Sequence, residues 1–277
     1  LEKLDLEEDD SPCIFRGLGK SPLIHKCIEK GIDYMYIDTG YFGNGKKKQY
    51  HRVAFNNLQT LNHRSIKEVK TLLTSGIGER EAKAYFKRAD DTFNSGQAFE
   101  KWYKTGDIQY LDTVPLESVE RGKTILVVPP SQKVFNHFGG DAIEWTNKLI
   151  ENIKKITDRQ IEIREKVGRS ERLDFSVQDQ LRTGKYHCIV TFNSIASVEA
   201  VTVGVPAIVL GPNAGSYLSE TKLENIDTPF FPDKKQIIEH MFYLSCCQFT
   251  AEQMQSIITK RTIELLQGDQ TPGALTI

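Results

Sequence analysis

The chain has 277 residues, and its 36 Lys and Arg against 37 Asp and Glu leave a formal net charge of −1. That balance excludes a uniformly basic nucleic-acid coat. With 39% hydrophobic and 26% charged residues, the composition also excludes a collagen, a coiled-coil rod and a disordered tail, and it supplies apolar material for a core. The length suits one large domain or two of about 100–200 residues, and no apolar run reaches the roughly 18–20 residues that span a bilayer. The five cysteines, Cys13, Cys27, Cys188, Cys246 and Cys247, show no CxxC pair and no histidine at zinc-ligand spacing. They read as reduced, mostly buried thiols of a cytoplasmic protein, with Cys246 and Cys247 packed on a helix.

Residues 1–10 carry Asp5, Glu7, Glu8, Asp9 and Asp10 and read as a solvated lead-in. Pro22 to Lys30 places Leu23, Ile24, Cys27 and Ile28 at helical spacing, with Gly31 as the stop. Tyr34 to Asp38 reads as a short buried strand ended by Thr39 and Gly40. An acid there matters, because ligands of open α/β sheets bind outside the carboxyl ends of the strands. Residues 43–48 form a flexible basic loop, and Tyr50 to Phe55 is a second strand. From 60 to 120 the pattern weakens: 79–88 suggests a helix, and Trp102, Tyr103 and Tyr110 pack locally. Thr113 to Gly122, with Pro115, is the candidate linker.

The second half alternates clearly. Thr124 to Val128 is a continuous apolar strand ended by Pro129, Pro130 and Ser131, and Asp141 to Ile156 is a long amphipathic helix. A strand from Ile161 to Arg164, a helix from Phe175 to Leu181, a strand from Cys188 to Thr191, a helix from Ile195 to Val203 and a strand from Pro206 to Leu210 follow. This alternation requires a parallel sheet with right-handed crossovers. Helical stretches from Lys234 to Cys246 and from Ala251 to Leu266 close the chain.

The stretch from Val190 to Pro212 holds the densest chemistry. Ser194 is placed to cap a helix, and the backbone N–H groups around Asn193 and Ser194 offer an anion site suited to a diphosphate. Glu199, five positions on, can accept hydrogen bonds from ribose hydroxyls. The same pattern also fits an ordinary crossover with Ser194 as a plain cap. Arg164 and Lys166 follow the second strand, where they reach the same crevice or sit as a solvated strand end. The absence of GxGxxG and Walker patterns disfavours dinucleotide oxidoreductases and P-loop kinases.

The run Thr191-x-Asn193-Ser194-x-x-Ser197-x-Glu199-Ala200, with Gly204-Val205-Pro206-Ala207-Ile208-Val209-Leu210-Gly211 after it, resembles the donor half of GT-B glycosyltransferases, in particular the capsule-polysaccharide branch. The resemblance covers roughly residues 124–250 and implies that Ser194, Glu199 and Ala200 hold the nucleotide part of a sugar donor. Over the whole chain, Arg16 to Gly19, Tyr34 to Gly43, Tyr50 to Val53 and Asp227 to Asp233 are similar to a family of tailed-phage and bacterial proteins. One departure stands at Ile257 and Ile258, where a Gly-rich helix start is expected after Gln255 and Ser256. Phage enzymes of this class decorate hydroxymethylated pyrimidines, so the resemblance implies duplex DNA as the acceptor.

The expectation is an α/β, GT-B-like enzyme of two Rossmann-like domains with parallel sheets, its C-terminal helices packing back toward the N-terminal domain. An acceptor-side domain spans 1–120, a nucleotide-sugar domain 121–249, and a C-terminal helix over 250–277 crosses back. The donor is a nucleotide sugar, a UDP-sugar in first place, with no cofactor or metal required. It is held by Arg16, Gly17, Gly19, Pro130, Ser131, Arg164, Lys166, Asn193, Ser194, Ser197 and Glu199. Asp38 is the general base and His51 the alternative; the plain readings are a turn-forming acid and a paired surface histidine. Tyr41, Lys46, Lys47, Lys48 and Arg52 face the acceptor, although a lysine run is also often a solvated loop. Residues 11–70 support a basic face, with eleven Lys and Arg against four Asp and Glu, a net of +7. Two other readings stay open: transfer to a capsule or cell-surface glycan, and a non-catalytic nucleotide- or sugar-binding module. The location is cytoplasmic, in the host if the chain is phage-encoded.

Overall fold

The structure, a computed structural model, describes residues 13–42, 50–61, 63–74, 79–164 and 176–257. In the first half, β1 (Cys13–Arg16), α1 (Ser21–Lys30) and β2 (Tyr34–Thr39) form a β-α-β unit whose strands run parallel. Pro22 sits in the first turn of α1, and Gly31 ends it in the left-handed region at φ 66°. The next strand, β3 (His51–Phe55), returns antiparallel to β2. This corrects the expectation of a parallel sheet in this half. A parallel return needs a crossover of a dozen or more residues, usually a helix, and the glycine-rich stretch 40–50 has no helical pattern.

Four helices occupy the stretch whose sequence pattern is weak: α2 (Ile66–Thr74), α3 (Glu79–Phe93), α4 (Ala98–Thr105) and the short α5 (Gln109–Asp112). Phe86, Phe99, Trp102 and Leu111 from them are buried against Val53 and Phe55 of the sheet. The start of α4 is held by a remote acid. Asp90 accepts the N–H groups of Phe99 at 3.0 Å and Glu100 at 2.9 Å.

The second half follows its sequence pattern. Its sheet runs β5-β4-β6-β7, all parallel, built from β4 (Thr124–Val128), β5 (Ile161–Ile163), β6 (Tyr186–Thr191) and β7 (Ala207–Val209). The central strands β4 and β6 are buried along their whole length, as continuous apolar runs in a parallel sheet must be. The crossovers are α6 (Gln132–Phe138), α7 (Ala142–Ile156), α8 (Val177–Leu181) and α9 (Ala196–Thr202). Asp141 caps α7 by accepting the N–H groups of Ile143 and Glu144 at 2.9 Å.

α10 (Lys234–Cys246) joins the halves. Its Ile237 and Met241 lie in the core of the parallel sheet, while Ile238, Phe242, Tyr243 and Leu244 lie in the core of the first half. Phe242 stacks on Phe86 and Phe99, with centroids 5.1 and 5.2 Å away. β8 (Gln248–Phe249) then pairs antiparallel with β3, completing the order β1-β2-β3-β8. The chain thus returns to the first half ahead of α11 (Ala251–Ile257), earlier than the expected crossing over 250–277. Residues 258–266 of the expected last helix lie outside the described residues.

Four of the six histidines form two pairs between the halves. His25 Nε2 donates to the His137 carbonyl at 2.9 Å and lies 3.0 Å from His137 Nδ1, which also takes the Ser21 hydroxyl at 2.7 Å. His240 Nε2 donates to the Ala214 carbonyl at 2.5 Å, so its Nδ1 accepts from His63 Nδ1 at 3.1 Å. Burial, with His25 adding to it, pushes His137 down to about 4. Burial also pushes His240 down to about 4, although its bond to Ala214 opposes the shift. Both rings are therefore neutral in the fold. An unfolded histidine titrates near 6.5, so between pH 6.5 and 4 the unfolded chain binds more protons and stability falls as pH is lowered. The thermal midpoint should drop across that window, and the pair of changes His137→Asn and His240→Asn should flatten the drop. Scanning fluorimetry against pH measures it; an unchanged slope in the variant would remove these histidines as its source.

Candidate active site

A cleft of about 420 Å³ opens between the halves, within the size range of small-molecule sites. Tyr41 and Phe42, just past the carboxyl end of β2, and Thr92 and Phe93, closing α3, form one wall. Ile195, Glu199 and Thr202 of α9 and its lead-in, with Ser176 and Gln178 of α8, form the other. Linker residues Pro115, Leu116 and Glu117 and Met241 of α10 complete the lining. The fold thus sets the loop after β2 opposite the crossover after β6.

Glu199 is the chemical centre of this cleft. It is half-buried, and burial pushes its carboxyl up to about 7, with the Arg164 guanidinium pulling the other way. A carboxyl at that value both donates and accepts hydrogen bonds near neutral pH. Arg164 stands just past β5, where its Nη1 donates to Gln180 Oε1. Gln180 is itself fixed by donating to Glu162 Oε1 at 3.0 Å and Tyr186 Oη at 2.8 Å. On the same wall Gln178 donates to Thr202 Oγ1 at 3.0 Å. Across from it Phe42 and Phe93 meet edge to face at 4.9 Å, an apolar surface against which a ring can pack. Glu117 is an exposed carboxylate held at 2.6 Å by Arg182, which keeps it below the usual carboxylate range. Among the described residues, no three His, Cys, Asp or Glu side chains gather as a metal site.

Several expected residues sit elsewhere. Asp38 does not line the cleft. Its Oδ2 accepts from Arg52 Nη2 at 3.1 Å and Tyr36 Oη at 3.2 Å, and its Oδ1 from the Thr39 N–H at 2.7 Å. These bonds tie the carboxylate to Arg52, Tyr36 and the end of its own strand. His51 is buried within the sheet, its strand position flanked by Thr39 and Phe249. Arg52 is buried too, donating to Asp38 and to the carbonyls of Thr39 at 2.8 Å and Leu58 at 3.2 Å, which withdraws it from acceptor phosphates. Tyr41 reaches the cleft as a buried ring whose hydroxyl accepts the Thr60 N–H at 2.8 Å.

On the donor side, α9 starts one residue later than Ser194 would cap it. Ile195 holds the cap position, and the Ser194 hydroxyl accepts the Ala196 N–H at 3.3 Å. Ser197 is fully buried, its one hydroxyl proton shared between the Ser194 carbonyl and Asn213 Oδ1, each 3.0 Å away. Asn193 is buried beside it. Pro130 is buried and Ser131 caps α6 through the Val134 N–H at 3.4 Å. Gly17 continues the β1–β2 ladder by donating to the Ile37 carbonyl at 2.9 Å. Exposed Arg16 and Gly19 flank it on a turn whose 3-10 segment, Leu18–Lys20, meets α6. Lys46, Lys47, Lys48 and Lys166 lie outside the described residues. Phe93, Gln178 and Met241 belong to no sequence motif; only the fold brings them to one cleft.

No protein-family model matches the chain, and no curated protein matches it. Among solved structures it is similar to two from Thermosulfurimonas dismutans. The first, "KpsC, beta Kdo 2,4 transferase", is 14% identical over 82% of this chain and 78% of that one, with a TM-score of 0.42. The second, "KpsC, beta Kdo 2,7 transferase", is 11% identical over 93% and 85%, with a TM-score of 0.44. Likeness at that level carries no weight for the chemistry, which rests on the cleft's own residues.

The Glu199 carboxyl binds its proton more tightly in the fold than in the unfolded chain, so the stability it lends is full below about 4.5, is lost as pH rises to about 7, and changes no further above that. Glu199→Gln should therefore raise the thermal midpoint at pH 8 and leave it unchanged at pH 4.5. Equal shifts at both values would show that the carboxyl is not held near neutrality.

Proposed function

We propose that the protein is a glycosyltransferase that moves a sugar from a nucleotide-sugar donor, a UDP-sugar in first place, to a hydroxyl acceptor. The observation that carries this reading is the position of Glu199. The residue that the Ser194-to-Ala200 resemblance assigns to the nucleotide lines the cleft between the halves, with its carboxyl near neutrality and Arg164 close enough to influence it. A diol is matched by a group that donates and accepts, a diphosphate by a guanidinium, and a ring by the edge-to-face pair Phe42 and Phe93. Catalysis in this reading is positioning of two substrates between facing walls and stabilisation of charge on the departing diphosphate. With Asp38 and His51 engaged in the first half's sheet, neither is retained as the base.

The acceptor enters past the first wall. With Arg52 and Tyr41 buried, duplex DNA as acceptor rests on Lys46, Lys47 and Lys48, whereas a capsule or cell-surface glycan needs none of them. A binding module without transfer would take up the same nucleotide and release no diphosphate from a nucleotide sugar.

Nucleoside diphosphates and nucleotide sugars should raise the thermal midpoint of the wild type. A ligand at a hundred times its Kd adds about 2.7 kcal/mol, several degrees for a chain of this size. Glu199→Ala and Arg164→Met should remove most of that rise; a rise that survives both changes would displace the site from this cleft. For the acceptor, duplex DNA should bind at low salt and release steeply as salt increases, with the charge-neutralising change of Lys46, Lys47 and Lys48 to Gln weakening it. Indifference to DNA at low salt would leave the glycan.

A further inference from the structure

The two walls of the cleft are tied to adjacent residues of one segment. Gln59, only 3% exposed, lies just past β3. Its Nε2 donates to the Asn193 carbonyl at 2.5 Å, and its Oε1 accepts the Ala214 N–H at 3.0 Å. The next residue, Thr60, donates its backbone N–H to Tyr41 Oη at 2.8 Å. Tyr41 lines the first wall. Asn193 leads directly into Ile195 and Glu199 of the second.

The loops that Gln59 grips also hold each other. Asn213 donates from Nδ2 to the Ser194 carbonyl at 2.9 Å, and its Oδ1 accepts the Gly215 N–H at 2.7 Å and the Ser197 hydroxyl at 3.0 Å. The loop after β6 and the loop after β7 are therefore one polar unit. A primary amide suits the bridge because it offers a donor and an acceptor on one planar group. Removing it strands a buried carbonyl and a buried N–H on the far side of the interface, an arrangement folded proteins avoid.

We infer that Gln59 is a positioning residue for the nucleotide site: together with Thr60 it sets the separation of the cleft's walls and so places Glu199 opposite Tyr41 and Phe42. It acts through the Asn193 and Ala214 peptides. The inference rests on the nucleotide reading above, and it assigns the shape of the donor wall to a side chain of the other half.

Calorimetric titration of UDP, CDP, ADP and GDP into the wild type, Gln59→Leu, Gln59→Glu and Tyr41→Phe tests it, at a temperature where circular dichroism shows every protein folded. For the tightest of the four, Gln59→Leu should weaken binding about tenfold or more, as expected when buried partners are stranded. Tyr41→Phe should weaken it in the same direction. A contact that serves stability alone would lower the thermal midpoint and leave the folded protein's Kd unchanged. Gln59→Glu adds a rescue that also serves if the leucine variant does not fold. Its carboxylate still accepts the Ala214 N–H but cannot donate to Asn193, so it should restore part of the affinity lost in Gln59→Leu and stay below wild type. Wild-type affinity in folded Gln59→Leu, or in folded Gln59→Glu, overturns this inference alone. A wild type that binds none of the four nucleotides overturns it together with the nucleotide reading.

Discussion

A helix that is apolar on every side must find apolar surface on every side, and α10 satisfies this only by standing between two cores. From Ile237 onward every residue of α10 except Glu239 is buried. Ile237 and Met241 belong to the parallel-sheet core, and Ile238 and Phe242 to the other. Neither half can bury that helix alone, so neither core is complete without it. The short strand β8 that follows adds a backbone tie to β3. The separation between the two sheets, and hence the cleft beside Met241, is a consequence of one helix being shared.

On that apolar frame a set of polar contacts defines geometry. Ala214 is held on both sides, its N–H by Gln59 of the first half and its carbonyl by His240 of the shared α10. Its neighbour Asn213 passes the constraint to Ser194 and Ser197. Buried polar groups of this kind must be paired wherever they are placed, so the loops at the carboxyl edge of the parallel sheet have little freedom to relax. Glu199 is presented by that edge. Its raised proton affinity follows from its burial, which outweighs the opposing pull of Arg164, itself held by Gln180.

The second half was largely legible in the sequence because its signals are local. Continuous apolar strands, the Asp141 cap and the Ser176 capping box are written in residues a few positions apart. Between 60 and 120 only α3 was, as the helix read over 79–88; the other helices were not, and α4 shows why. Its N-cap position is Gln97 in the left-handed region at φ 70°, with no side-chain cap of its own, and its first N–H groups are satisfied by Asp90 from α3. A start signal supplied by another helix leaves no trace in the local pattern. β3 misled in a similar way. His51 and Arg52 look like exposed polar positions, yet every residue of the strand is buried because it lies inside the sheet with helices packed over it.

By itself the sequence determined the α/β class, the order of strands and helices in the second half, and a carboxylate at the start of the crossover after β6. Periodicity and capping depend on neighbours two to four positions away, and those are present in any reading of the chain. Only the tertiary structure decided which acids face the cleft. Asp38 stands outside it, bonded to Arg52 and Tyr36, two neighbours that sheet pairing and side-chain direction bring to it. Glu199 stands in its wall, its carboxyl raised by burial, in company with Phe42, Phe93 and Met241 from distant parts of the chain. Burial of a charge is a property of what packs around it, and what packs around it here comes from remote parts of the chain.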